Sequence, residues 1–238
     1  MNKAYIVTGA SGGLGRLVSM ALLQSGAHVM LSGRSGLDDF CRSYPVQVSC
    51  FNDDLEKHLG KFIDSLYKFS EKVKNAGIEI HGLFNAIGIP ARVDANASNE
   101  EASAVIHKSN SVNYEIPKTI SDHFCRISPA GTVVFLSSVH SYARTPGKEP
   151  YFVPKQKLEV HAYRLARLQG NMSINTLLPG NLGIGMSAPA REKYSSEGSL
   201  VDTDIIVQQA LELLTAPKFT GKRILVIAKE GKTTVENV

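Results

Sequence analysis

The stretch Thr8-Gly9-Ala10-Ser11-Gly12-Gly13-Leu14-Gly15 decides how this chain is read. It follows an apolar run, Ala4 to Val7, and leads into a segment where Leu14, Leu17, Val18, Ala21 and Leu22 recur at helical spacing. Glycines between a strand and a helix permit a tight turn, let the backbone approach a phosphate, and pack the helix onto the sheet. The start of the helix then offers unpaired N–H groups and the positive end of its dipole to a pyrophosphate. Gly9, Ser11, Gly12, Gly13, Leu14 and Gly15 are therefore candidate contacts for a dinucleotide. No G-x-x-x-x-G-K-[ST] pattern occurs, which argues against a P-loop NTPase.

Beyond the turn, short apolar runs continue to alternate with helical patterns. Val29 to Leu31, Val46 to Val48, Ile78 to Asn85, Val133 to Leu136, Ile174 to Leu178 and Ile224 to Ala228 bring the expected strands to seven. Helical spacing returns at Leu158, Ala162, Leu165 and Ala166, and again at Ile206, Ala210, Leu213 and Leu214. This alternation predicts a Rossmann-type α/β fold, a doubly wound, seven-stranded parallel sheet with helices on both faces. No linker, repeat or low-complexity run interrupts it, so residues 1–238 read as a single dinucleotide-binding domain. Segments 88–99 and 181–199 lack periodicity and follow strand carboxyl ends, where ligands bind in such sheets. The second, rich in Gly, Ser and Ala, reads as a mobile substrate lid.

Composition narrows the classes of partner. The 26 basic and 22 acidic residues leave a dispersed net charge of +4, so nucleic acid is not an expected partner. Cys41, Cys50 and Cys125 are an odd number without C-x-x-C spacing, which fits free thiols in a reducing compartment better than a disulfide framework or a zinc site. No apolar stretch approaches about 18 residues, and no charged n-region with an h-region opens the chain. The expectation is a cytoplasmic protein with no membrane span and no metal.

Two further stretches carry chemistry. An acidic side chain at the end of the second strand would bind the ribose hydroxyls of NAD(H); here Leu31-Ser32-Gly33-Arg34 offers room and a cation suited to a 2′-phosphate. Arg34 thus favours NADP(H) over NAD(H). Ser138 closes the fifth expected strand, and Tyr151-Phe152-Val153-Pro154-Lys155 opens an amphipathic helix. A spacing of four puts the Tyr151 hydroxyl and the Lys155 ammonium on one helix face, where the cation favours the phenolate. An unperturbed tyrosine titrates near about 10, so acid–base work near neutrality calls for such a neighbour.

These features together resemble the short-chain dehydrogenase/reductase family over nearly the whole chain. The matching residues are Thr8-Gly9-x-x-x-Gly13-x-Gly15, Asn85-Ala86-Ile87-Gly88, Asn113, Ser138, Tyr151 with Lys155, and Pro179-Gly180. The resemblance implies that Tyr151 exchanges a proton with the substrate oxygen and that Ser138 hydrogen-bonds that oxygen. Lys155 would lower the tyrosine pKa and hold the ribose, and Asn113 would hold a water for proton relay. It also implies cofactor contacts from Asn85, Gly88, Pro179, Gly180 and Leu182, and from an acidic residue after the third strand, Asp53 or Asp54. Homotetramers or dimers built on the helices near Asn113 and Tyr151 are usual in the family.

Three positions depart from the family pattern. Ala86 stands where a second asparagine is common, and Ile184 where a threonine often contacts the nicotinamide. Pro154 replaces a small residue, which is tolerable only if the helix starts close to Tyr151. His140 reads as a pocket wall; Arg144 and Lys148 either attract an anionic substrate or form a solvated rim. The expected function is an NADP(H)-dependent oxidoreductase interconverting a ketone and a secondary alcohol on a small molecule. The alternative is a non-catalytic dinucleotide-binding module of the same fold.

Overall fold

The structure is a computed structural model describing residues 2–142, 147–215 and 220–238. β1 (Lys3–Thr8) runs through the glycine turn into α1 (Gly13–Gln24), followed by β2 (His28–Gly33), α2 (Asp38–Ser43) and β3 (Val48–Asn52). Next come α3 (Leu55–Asn75), β4 (Glu79–Asn85), α4 (Asn99–Asn110), α5 (Ile116–Ile127) and β5 (Thr132–Leu136). The remainder comprises α6 (Glu149–Leu168), β6 (Ser173–Pro179), α7 (Arg191–Ser196), α8 (Thr203–Thr215), β7 (Arg223–Lys229) and β8 (Lys232–Asn237).

All strands share one sheet in the order β3-β2-β1-β4-β5-β6-β7-β8. β1 through β7 pair in parallel, and only β8 is antiparallel to its neighbour. The chain starts mid-sheet, winds outward to β3, then returns to build from β4 in the other direction, so the strand order reverses between β1 and β4. Both faces are covered. Phe62 and Leu66 of α3, Ile120 and Phe124 of α5, and Leu158 and Ala162 of α6 pack against Ile6 and Leu83 on one face. Leu14, Val18 and Leu22 of α1 and Ile206, Ala210 and Leu214 of α8 pack against Tyr5 and Val7 on the other. Burial on both sides is why the central strands read as continuous apolar runs.

The structure corrects the sequence reading at four places. The sheet has eight strands rather than seven: residues 232–237 fold back on β7 through Glu230 and Gly231, both at positive φ, as a two-residue hairpin turn requires. Second, β3 begins at Val48, with Val48 to Asn52 pairing Val29 to Gly33, while Val46 lies exposed after α2. Polar Ser49 and Asn52 on this outer strand hid it from a search for apolar runs. Third, Cys41 and Cys50 are joined as a disulfide, because α2 and β3 bring their Cα atoms to 6.8 Å; only Cys125 is a buried free thiol. The inference of a reducing compartment from the cysteine count loses its basis. Fourth, the segment 181–199 is not formless: it holds a 3-10 helix, Gly185–Ala190, and α7. Arg144 lies outside the described residues. Among those residues no helix is long and apolar enough to cross a membrane, and no group of His, Cys, Asp or Glu is arranged to hold a metal ion.

Candidate active site

Parallel strands joined by helices leave their carboxyl ends on one edge of the sheet, and a cavity of about 870 Å³ opens there. Gly9, Ser11, Gly12, Gly13, Leu14, Gly15, Arg34, Asp53, Gly88, Ser138, Tyr151, Lys155, Pro179, Gly180 and Leu182 all line it. Two residues expected at the site do not. Asn85 is buried below, its carboxamide accepting from the Thr8 hydroxyl (2.7 Å) and donating to the Pro117 carbonyl (2.8 Å), so it ties β1 and β4 to α5. Asn113 is likewise fully buried behind the wall.

The glycine turn has the form its sequence implies. Gly9 sits at φ +68°, and a Cβ there would come within 2.7 Å of the Ala86 carbonyl. A Cβ on Gly15 would collide with the Gly9 carbonyl, so α1 can cross the turn this closely only as glycine. Gly12 precedes α1 without a side-chain cap, and no acidic residue occupies the first turn of the helix. Its leading N–H groups and dipole therefore face the cavity uncompensated, a setting suited to a pyrophosphate.

At the β3 end, both candidate carboxylates line the cavity. Asp54 caps α3 by accepting from Glu56 N (3.0 Å); Asp53 accepts from Asp54 N (2.8 Å) and lies 2.8 Å from His58 Nδ1. The His58 contact, then the Asp54 N–H, hold the Asp53 carboxyl below its ordinary range. His58 lies at a kink in α3, and no motif in the sequence pointed to it. Arg34 is exposed at the same end.

Across the cavity, Lys155 is almost wholly buried and donates from Nζ to the Leu136 carbonyl (2.8 Å). Burial pulls the ammonium down to about 8, opposed by the carboxylate of Glu159 one turn further along α6. Glu159 accepts from the Ser137 hydroxyl and from Arg223 Nη2, each at 2.6 Å. Its spacing of four from Lys155 was the overlooked sequence signal. Burial also raises the Tyr151 phenol, while a hydrogen bond with Ser138 pulls the other way. In this balance desolvation, rather than the nearby ammonium, dominates the tyrosine.

Pro154 shows why α6 needs its neighbour. The helix begins at Glu149, ahead of the start near Tyr151 that Pro154 was expected to require, so Pro154 falls in the second turn. Proline has no N–H to give, and the Pro150 carbonyl four residues back is left without its intrahelical donor. The Ser109 hydroxyl of α4 supplies one (2.5 Å). Ser109 in turn accepts from Asn113 Nδ2 (2.7 Å), and Asn113 brackets Ile89 by accepting from its N–H (2.9 Å) and donating to its carbonyl (3.1 Å). Asn113 is placed for this by a π-helical turn, Ser111–Glu115, between α4 and α5. Its side chain is thus spent on protein groups. Nothing in the local sequence marked Ser109, whose partner lies on another helix.

Two expectations follow. Ser109→Ala should destabilise the protein by roughly 1–3 kcal/mol in denaturant titrations, because a buried carbonyl loses its donor. In a Pro154→Ala background the loss should fall to less than half, since the substituted alanine provides the intrahelical N–H; equal losses in both backgrounds would reject the link. An ammonium with a depressed folded-state pKa destabilises the fold below about pH 8, and the penalty fades as pH rises toward the unfolded value of 10.5. Lys155→Met should therefore raise Tm at pH 7 by about 2–4 °C, for a net gain on the order of 1 kcal/mol, with the gap closing near pH 10. A lower Tm at pH 7 would show that the bond to Leu136 outweighs burial.

Comparison with known proteins places the chain in a family. The chain is 26% identical over 240 residues to carbonyl reductase family member 4 of Danio rerio, covering 95% of this chain and 97% of the relative. It is 24% identical over 211 residues to a 3-oxoacyl-[acyl-carrier-protein] reductase of Chlamydia muridarum, covering 83% and 81%. Among solved structures, an actinorhodin polyketide ketoreductase with NADPH superposes with a TM-score of 0.78 at 17% identity, covering 97% of each chain. A 4-hydroxyisoleucine dehydrogenase complexed with NADH and succinate gives 0.74 at 20% identity, covering 93% and 96%. These two structural likenesses speak for the fold. A family model described as short chain dehydrogenase matches residues 3–195. Because that match runs from β1 through the glycine turn, Tyr151 and Lys155 into α7, the chain belongs to the short-chain dehydrogenase family.

Proposed function

We propose that this oxidoreductase interconverts a ketone and a secondary alcohol on a small molecule, with NADP(H) preferred over NAD(H) and Tyr151 as the proton donor and acceptor. The observation that carries the reading is the position of Ser138, Tyr151 and Lys155 on the wall of the cavity that the uncapped start of α1 also faces. The cavity fits a dinucleotide: its glycine cradle leaves no room for a Cβ at Gly9, Gly13 or Gly15, and its volume of about 870 Å³ is in the range of ligand sites. Backbone N–H groups from Gly13 to Gly15 would hold the pyrophosphate, Arg34 a 2′-phosphate, and Asp53 or Asp54 the adenine. Gly88, Pro179, Gly180 and Leu182 would flank the nicotinamide, with Asn85 supporting from behind. When bound, the cofactor supplies or accepts the hydride.

The chain's own groups do the rest. Ser138 accepts from His140 N (3.2 Å), and its hydroxyl, bonded to Tyr151 in this structure, would donate to a substrate oxygen that displaces that bond. Tyr151 gives its proton to that oxygen in reduction and takes it back in oxidation. Lys155, held by the Leu136 carbonyl, contributes positive charge that favours the phenolate. Residues Leu182, Ile184, Met186 and Tyr194 from the 181–199 segment wall the cavity and limit water. Homo-oligomerisation belongs to the same proposal, supported by Ile106 on α4 and Val160 and Tyr163 on α6, which stand exposed.

Tyr151→Phe should lower NADPH-dependent ketone reduction by about 10²–10⁴-fold while NADPH fluorescence titration still reports binding. Full activity in this variant would remove Tyr151 from the mechanism; binding without turnover in the wild type would favour the non-catalytic module. Arg34→Ala should weaken NADPH by about tenfold or more and leave NADH nearly unchanged, as loss of a charge-assisted phosphate contact implies. Equal affinity changes for both cofactors would mean that another residue reads the phosphate.

A further inference from the structure

The charges around the cavity are segregated. Its acidic lining residues, Asp53, Asp54 and Glu56, all follow β3. Near Tyr151 the lining instead carries Arg92, Lys108 and Lys148, and none of these three makes a side-chain hydrogen bond or ion pair with a described residue. The acidic residues closest to them in the chain, Asp94, Glu100, Glu115 and Glu149, are not part of the wall, and Glu101 is spent capping α4 through Ser98.

Specific contacts gather the three cations. The Val93 N–H donates to the Gly147 carbonyl (3.1 Å), joining the loop after β4 to the approach of α6. Arg92 Nε lies 3.7 Å from where a Cβ on Gly147 would stand, so the arginine runs alongside the residue preceding Lys148. Lys108 directly precedes Ser109, whose hydroxyl binds the Pro150 carbonyl two residues beyond Lys148. His140 lines the same region with a buried Nδ1 that has no partner, and burial together with the charge of Lys148 keeps its imidazole below the ordinary pKa, hence neutral. Three like charges held together without counter-ions repel one another, and a bound anion relieves that repulsion while gaining charge-assisted hydrogen bonds.

We propose that the substrate is an anionic carbonyl compound, bearing a carboxylate or a phosphate, and that Arg92, Lys108 and Lys148 hold its anion while the carbonyl faces Tyr151. The unpaired imidazole nitrogen of His140 completes the recognition of its oxygens. The proposal rests on the oxidoreductase reading for the reacting carbonyl alone.

The test uses two matched pairs, levulinate with methyl levulinate and dihydroxyacetone phosphate with dihydroxyacetone. Binding is measured calorimetrically to the NADPH-loaded Tyr151→Phe protein, and turnover separately with the wild type. The anionic member of at least one pair should bind at least about tenfold more tightly than its neutral partner. The Arg92→Gln/Lys148→Gln double variant should reduce that ratio to near one with NADPH affinity unchanged, and rising salt should erode it. Whichever pair discriminates identifies the anion as carboxylate or phosphate. Equal binding within both pairs, no anion binding at millimolar concentration, or a loss of NADPH affinity in the double variant would overturn the proposal. Anion binding with no turnover of any of the four compounds would count against the oxidoreductase reading and leave the anion site standing.

Discussion

Every pair among β1 to β7 is parallel, so each connection must carry the chain back to the same end of the sheet, and that constraint places the turns after the strands on one edge. β1, β2, β4, β5 and β6 deliver, in turn, the glycine cradle, Arg34, Gly88, Ser138 and Pro179 to the same cavity. The reversal of strand order between β1 and β4 parts the crossovers to the two faces of the sheet and opens the crevice. The cavity therefore follows from the winding, and the side chains then give it polarity.

Within that edge α6, which carries Tyr151 and Lys155, is held by few polar contacts. Pro154 removes one backbone donor from α6, and Ser109 of α4 replaces it; the same hydroxyl is bound by Asn113, which grips the backbone of Ile89. Three separate elements, α6, the π-helical turn and the loop after β4, are fixed to one another by two side chains. Such a satisfied buried network specifies one arrangement, since each alternative would strand a polar group away from water.

Lys155 shows the energetic tension of the site. Its ammonium is almost fully buried and held by one carbonyl, with Glu159 behind it as the nearest negative partner. Burial of that charge opposes folding, yet the same desolvation strengthens any interaction it makes with a phenolate or a ribose hydroxyl.

The doubly wound sheet, the glycine turn and the placing of Tyr151 and Lys155 one turn apart on α6 were legible in the sequence, because each depends on spacing along one strand or one helix. Apolar continuity revealed the strands buried on both faces, and a separation of four revealed the paired side chains. Wherever pairing crosses the chain, local pattern was silent. The partly polar β3, the antiparallel β8, the Cys41–Cys50 disulfide and the packing of the 181–199 segment depend on neighbours distant in sequence. So does the placing of two of the expected site residues: Asn85 and Asn113 lie buried off the cavity, where they donate to the carbonyls of Pro117 and Ile89. The sequence by itself determined the winding and the kind of chemistry, since periodicity and spacing are local properties. Tertiary structure alone decided which polar groups face the cavity and which hold its walls, since a buried hydrogen bond forms only where folding brings donor and acceptor together.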